Sequence, residues 1–231
     1  RTRDQVVTAF SSQLRLSIVN LTKAANVAKV KHGLSAHEAS LLGKMMAGVT
    51  LCASFLTDEE RIAAQIKCDN RNPNVIYAEA IQVGEVRGYI SNRDVTIQNS
   101  QSVDRPEGTL NFSKVLYGLQ KPIESIVPMN DYSISGEFDN YFSLSEQIPS
   151  VIALEHSLGH DNGVQFNGGL LVQSLPSTPT SIIDAVRANV QKYNIEQLLS
   201  DEKRSLEDIL RLMAPHEIEI IGSTFVDFFC R

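Results

Sequence analysis

An α+β fold is predicted for this 231-residue chain on three observations. A long apolar helical pattern occupies 36–57. Strand-like runs separated by turn signals fill most of 62–175. Short capped helices appear only after Pro176-Ser177-Thr178-Pro179. Strands in a run, with helices segregated from them, favour an antiparallel-rich sheet packed by helices over an alternating parallel arrangement. The expected organisation is a compact N-terminal domain, 1–178, a helical linker arm, 179–225, and a short terminal piece, 226–231.

Val6, Val7 and Phe10 open a short strand, and the partly alternating Leu14, Leu16, Ile18, Val19 and Leu21 lead into a helix near 22–32 that Gly33 stops. Ser35 and Glu38 form a capping box, in which each side chain reaches the other's backbone N–H, and so open the long helix. Its Leu41, Leu42, Met45, Met46, Val49, Cys52, Ala53 and Leu56 present a broad apolar surface, which belongs against a sheet. Strands follow at 62–68 and 75–83, and 86–91 returns after Gly84-Glu85 as a hairpin. Further strands are expected at 95–98, 109–115, 123–127 and 132–135, and a short helix over 141–147 stops before Pro149. Runs at 150–158 and 164–175 flank Asn162-Gly163, a strong hairpin signal. Gly168-Gly169 marks a bulge or a close backbone approach. Beyond Pro179, Ser181 with Asp184, Asn194 with Gln197, and Ser205 with Asp208 cap three helices, the last ending at Pro215. Residues 217–229 read as one or two strands or an extended tail.

Composition narrows the function. Charged residues are 21% and hydrophobic residues 42%, enough to bury a core. Lys and Arg number 21 against 27 Asp and Glu, a net charge of −6, which argues against a nucleic-acid partner. No apolar run approaches a membrane span. Cys52, Cys68 and Cys230 form no disulfide framework and point to a reducing compartment.

Catalytic patterns fail in turn. Gly43-Lys44 has Glu38 where a phosphate loop needs glycine and Met45 where it needs Ser or Thr. There is no nucleophile elbow and no dinucleotide fingerprint. His37-Glu38 lacks the second histidine of a zinc protease. His156 and His160, beside Asp161, read as solvated hairpin histidines rather than a metal pair, because a strand end and turn do not place both on one face. Cys52 and Cys68 read as buried inert thiols, and Met45-Met46 as core. Asp201-Glu202-Lys203-Arg204 reads as a solvated turn.

Several segments, in order and spacing, resemble a known family over nearly the whole chain. They are Leu42-Gly43-Lys44 through Ala47-Gly48, Gln65-Ile66-Lys67-Cys68-Asp69, Val86-Arg87-Gly88-Tyr89-Ile90 and Lys121-Pro122. More specific are Tyr141-Phe142 with Ser145-Glu146-Gln147-Ile148-Pro149, and Gly168-Gly169-Leu170-Leu171-Val172-Gln173; Val226-Asp227-Phe228-Phe229-Cys230 follows at the end. The family is that of the redox-regulated heat-shock holdases of the HslO type, the thirty-three-kilodalton heat shock protein family. Cys68 stands where such proteins commonly have glycine, and Asn70-Arg71-Asn72-Pro73 departs from their glycine-containing turn.

The resemblance implies an ATP-independent chaperone, not an enzyme, that binds unfolding client proteins under heat and oxidative stress. It implies a cytoplasmic location, or an organelle of bacterial ancestry, and allows a homodimer by arm exchange. It also implies a zinc module held by four thiolates, of which Cys230 corresponds to the first. Oxidation would release the zinc, unfold the module and free the linker. With the other three ligands absent from the sequence, no zinc is expected in this chain, which reads as truncated; equal client protection before and after peroxide would mark a permanently active form, and protection only after peroxide would contradict it. The linker's docking face, and so the client-binding surface, is expected to comprise Ile182, Ile183, Val186, Leu198, Leu199, Leu206, Ile209, Leu210 and Leu212. The alternatives are a hydrolase using His156 or His160, and a plain dimeric interaction module.

Overall fold

A computed structural model describes residues 3–57, 59–68, 73–91, 108–131, 133–201 and 203–229. The expected strand at 95–98, the turn at 70–72 and Cys230 lie outside them. Two sheets result. The first has the order β10-β1-β2-β9-β8, built from β1 (Gln5–Phe10), β2 (Leu14–Asn20), β8 (Ser150–Leu158), β9 (Val164–Ser174) and β10 (Glu219–Phe225). All its pairings are antiparallel. The second has the order β11-β5-β4-β3-β6-β7, from β3 (Arg61–Cys68), β4 (Val75–Ile81), β5 (Glu85–Ser91), β6 (Gly108–Val115), β7 (Ile123–Pro128) and β11 (Asp227–Phe228). It is antiparallel except where β11 runs parallel to β5. The α+β prediction is confirmed.

Between the sheets lies α2 (Ala36–Ala53), opened by the Ser35–Glu38 capping box and packed on strands of both. Every residue from 41 to 53 except Lys44 is buried, as an all-round apolar helix requires. It ends at Ala53, short of the expected 57. Beside it runs α1 (Thr22–His32), whose C-cap Gly33 takes the left-handed conformation. Its N-terminus is capped from a distance: the buried Asp4 carboxylate accepts from the N–H groups of Lys23 (3.1 Å) and Ala24 (2.7 Å). Burial pushes the Asp4 carboxyl up, and those two hydrogen bonds oppose the shift.

Three readings are corrected and one open alternative is decided. The N-terminal stretch holds two strands, β1 and β2, rather than one. Alternation is blurred because both faces of β2 are buried: Leu14, Leu16 and Ile18 on one side, Val19 on the other. The strand expected at 132–135 gives way to helix α3 (Ile134–Tyr141), capped by Ser133 and continued by a π-helical turn, Phe142–Glu146. Buried Ile134, Glu137, Phe138 and Tyr141 follow helical spacing, which overrides a four-residue strand pattern. Ser181 caps nothing: α4 (Thr180–Lys192) begins one residue earlier, after Pro179. Gly168-Gly169 is a close approach and not a bulge, since a Cβ would lie 2.3 Å from Val19 O at Gly168 and 2.5 Å from Ala153 O at Gly169; the β8–β9 irregularity falls at Ser157/Leu158. Two further helices, α5 (Ile195–Ser200) and α6 (Leu206–Met213), are capped by Asn194 and Ser205 as expected.

A Cβ on Gly48 of α2 would come within 2.4 Å of the buried Phe138 ring. Gly48→Ala is therefore expected to destabilise by about 1–3 kcal/mol through overpacking, despite alanine's better helix propensity. Urea unfolding measures it; a variant as stable as the parent would show that the ring yields.

Candidate functional site: the covered face of the first sheet

Strand alternation gives the first sheet two apolar faces. One joins the core around α2. The other carries Val7 and Ala9 of β1, Leu14, Leu16 and Ile18 of β2, Val151 of β8, and Phe166, Leu170 and Val172 of β9. Helices α4, α5 and α6 cover this second face. Ile183, Val186, Leu199, Leu206, Ile209 and Leu210 are buried against it, while Ile182, Leu198 and Leu212 are half-buried at its margin. All nine residues singled out from the sequence thus lie in one cluster with the sheet face. Sequence reading missed Ile195 and Met213, both buried in the same cluster. Met213 continues the 206, 209/210, 213 helical spacing and was legible on that ground.

The cover is held chiefly by apolar contact. Fully burying a Leu, Ile or Val side chain contributes roughly 1.5–3 kcal/mol, and six of the nominated residues reach that state. Ion pairs described within the arm, Arg187–Asp184, Arg204–Asp201 and Arg211–Asp208, each link residues three apart on the same segment. These exposed pairs contribute weakly within their own segments, two in helices and one in the α5–α6 connection, and leave docking to the apolar face. Glu155 of β8 is pushed up by burial; Lys44 opposes the shift, and across the interface Glu196 of α5 adds to it with a smaller effect, so two carboxylates face each other there. Arg187 of α4 acts in the opposite sense on Asp139 of α3. Just ahead of the arm, Leu175 N and Thr178 Oγ1 both donate to Gln13 O at 2.8 Å, and near its end His216 Nε2 lies 2.8 Å from Ser11 Oγ.

Nothing comparable gathers around the histidines. His156 is not a solvated hairpin residue: alternation along β8 turns it toward α2. Its Nδ1 lies 3.0 Å from Asn167 Oδ1, and Asn167 Nδ2 donates to Gly43 O. Its Nε2 is buried without a hydrogen-bond partner. His160 is exposed in the β8–β9 turn, so the two do not share a site. Cys52 lines a cavity of about 100 Å³ with Arg15, Lys114 and Glu146. Burial pushes its thiol up to about 12, so it stays protonated and inert. Cys68 is buried at the end of β3. Among the described residues no cluster of His, Cys, Asp or Glu fits a metal ion, and no helix is long and apolar enough to cross a membrane.

A family model described as Hsp33 protein matches residues 4–231. The chain is 24% identical to a 33 kDa chaperonin of Enterococcus faecalis, over 96% of this chain and 76% of the relative. It is 27% identical to one of Aquifex aeolicus, over 99% and 74%, and 28% identical to one of Clostridioides difficile, over 99% and 81%. The crystal structure of a 33 kDa chaperonin (Heat shock protein 33 homolog) from Thermotoga maritima has the same fold, with a TM-score of 0.81 at 24% identity, covering all of this chain and 81% of that one.

Leu210→Ala is expected to lower the opening free energy of amides in α4–α6 by about 2–5 kcal/mol, whereas Arg211→Ala stays within about 0.5 kcal/mol. Native-state hydrogen exchange tests both, and equal effects would contradict apolar docking. Burial holds the His156 pKa below its ordinary 6.5, with Lys44 and Lys29 adding to the shift and Asn167 opposing it. The unfolded chain therefore binds more protons between the folded value and about 6.5, and stability falls as pH drops through that window. His156→Gln is expected to flatten this slope, which for one group is at most about 1.4 kcal/mol per pH unit; an unchanged slope in urea titrations would assign it elsewhere.

Proposed function

The chain belongs to the Hsp33 protein family, and from that premise we propose that it is an ATP-independent holdase whose client surface is the apolar interface between the first sheet and α4–α6. Its relatives are chaperonins, and the chain is not an enzyme. One observation carries the reading: a sheet face lined by Val, Leu, Ile and Phe is covered by three short helices joined to it mainly by side-chain burial. Segments of 13, 6 and 8 residues are marginal as isolated helices, so once lifted they lose their structure and their inner faces together with the sheet become available. An apolar patch of that extent is a protein-binding surface. Unfolding clients offer matching apolar segments, and capture needs no nucleotide.

In this reading, residues 1–178 are the platform, 179–225 the releasable linker and 226–231 the beginning of the redox-sensing segment. The protein acts in the cytoplasm under heat and oxidative stress, and arm exchange supplies a route to a homodimer. Activation is oxidative, but its reporter is neither Cys52 nor Cys68. Both are buried, and among the described residues neither belongs to a group that could hold a metal ion. Described residues alone do not fit a four-thiolate zinc site, and no step of the reading passes through zinc.

Light scattering of a heat-aggregating client, without nucleotide, is expected to fall in the presence of the protein. Leu206→Asp with Leu210→Asp, which places charge in the covered interface, is expected to give protection without heat activation. Absence of protection by both proteins, before and after peroxide, would end the holdase reading. Cys52→Ala and Cys68→Ala are expected to keep the parent's response to peroxide unchanged; loss of that response in either would make its thiol the sensor.

A further inference from the structure

A polar cavity lies between the two sheets at the C-terminal end of α2. Arg15 stands between Leu14 and Leu16, which face the linker helices, so its side chain takes the opposite face of β2. There it meets Gln173, its register partner on β9, and its Nε donates to the buried Gln173 Oε1 at 2.9 Å. Gln173 is fixed in turn, its Nε2 donating to Ser150 Oγ at 3.0 Å. The guanidinium also lies over the Phe55 ring, 4.8 Å from its centre. From the second sheet, Lys114 of β6 lines the same cavity and pairs with Glu146, which also accepts from Tyr141 Oη. Phe112 and Phe142 supply apolar wall.

Two cations and one carboxylate line this cavity, and one charge is left over. Burial works to raise the Glu146 carboxyl, yet hydrogen bonds from Lys114 and Tyr141 hold it below the usual carboxylate range, so Lys114 and Glu146 neutralise each other. Arg15 is the surplus. Its Nη groups have no hydrogen-bond acceptor among the described residues. The last carbonyls of α2, Cys52 O and Ala53 O, already accept from Phe55 N and Leu56 N. Burial pulls the Arg15 pKa below its ordinary value, and Cys52 and Glu146 offset only part of that. A guanidinium fixed at Nε and by a ring, with its Nη donors unspent, is a preorganised fork for an oxyanion.

We propose that this cavity binds a small monocarboxylate, its two oxygens on the Nη groups of Arg15 and its short apolar tail against Phe112 and Phe142. A single surplus positive charge calls for a monoanion. Doubly charged phosphate would bring a second negative charge against Glu146 and the phenyl walls, where nothing compensates it. Volume sets the tail: a cavity of about 100 Å³, against the roughly 150 Å³ that admits benzene, suits an acid of about three carbons. Because Arg15 and the linker cluster occupy opposite faces of the first sheet, the site is separate from the client surface and stands whether or not the holdase reading does. A bound acid would join Arg15 of the first sheet to Phe112 of the second and stabilise their junction by mass action.

The test is an NMR titration of the full chain with sodium propionate, sodium formate, sodium phosphate and sodium chloride at constant ionic strength. Propionate is expected to give saturable shifts at the Arg15 Nε–H and at the amides of Arg15, Phe142 and Gln173. It should bind at least about threefold more tightly than formate and at least about tenfold more tightly than phosphate. Arg15→Lys, which keeps the charge and loses the fork, is expected to weaken propionate at least about tenfold. Gln173→Glu, which sets a carboxylate on Arg15 in the ligand's stead, should do the same, while Arg211→Ala stays within about twofold. Shifts that never saturate, that chloride reproduces, or that leave Arg15 unmoved would overturn the site without recourse to any variant. Phosphate binding as tight as propionate would overturn the choice of a monocarboxylate. If Arg15→Lys does not fold, Gln173→Glu decides, and binding like the parent's in that variant would also overturn the proposal.

Discussion

A sheet with two apolar faces must be covered twice, and this constraint organises the molecule. In the first sheet, Leu16 and Ile18 project to one side and Val19 to the other, so neither face tolerates water. On one side the cover is α1 and α2, embedded between two sheets and locked by the Asp4 cap and the capping box at Ser35. On the other side it is α4–α6, which have no second sheet behind them. The two covers share the same hydrophobic driving force and differ in what else holds them. Burial from two directions makes α2 part of the scaffold; burial from one makes the linker helices separable.

That asymmetry accounts for the distribution of polar chemistry. Buried polar groups concentrate on the scaffold side, where Asn167 bridges His156, Gly43 and, through its backbone N–H, Thr22. Glu137 likewise gathers the N–H groups of Asn130 and Asp131 beneath α3. Such networks specify one arrangement and are costly to break. The linker interface instead combines apolar contact with the facing carboxylates of Glu155 and Glu196, and apolar contact is indifferent to register. A surface of this kind re-closes on its own helices or accepts foreign apolar segments by the same physics.

Local signals were read well where one residue's chemistry decides. Ser35, Asn194 and Ser205 cap helices because a side-chain oxygen meets a free N–H, and Gly33 ends α1 because its φ is positive. Reading failed where a neighbour decided. Residues 132–135 looked extended until the helical spacing of Glu137, Phe138 and Tyr141 and the aromatic stack of Phe112 on Tyr141 claimed the segment. His156 looked solvated because strand direction relative to α2 is not visible in a single strand. Strand β10 was legible only as a strand or an extended tail, and its partner at the opposite end of the chain was not legible at all.

By itself the sequence determined the α+β class, the helix boundaries set by caps, the family resemblance and the apolar residues of the linker, since each depends on spacing along the chain or on the chemistry of one side chain. Only the tertiary structure decided that those linker residues share a cluster with β1, β2, β8 and β9, that α2 is enclosed by two sheets, and that 226–229 cross into the second. These are long-range contacts, selected by the burial of complementary surfaces far apart in the chain, and no local pattern encodes which surface will meet which.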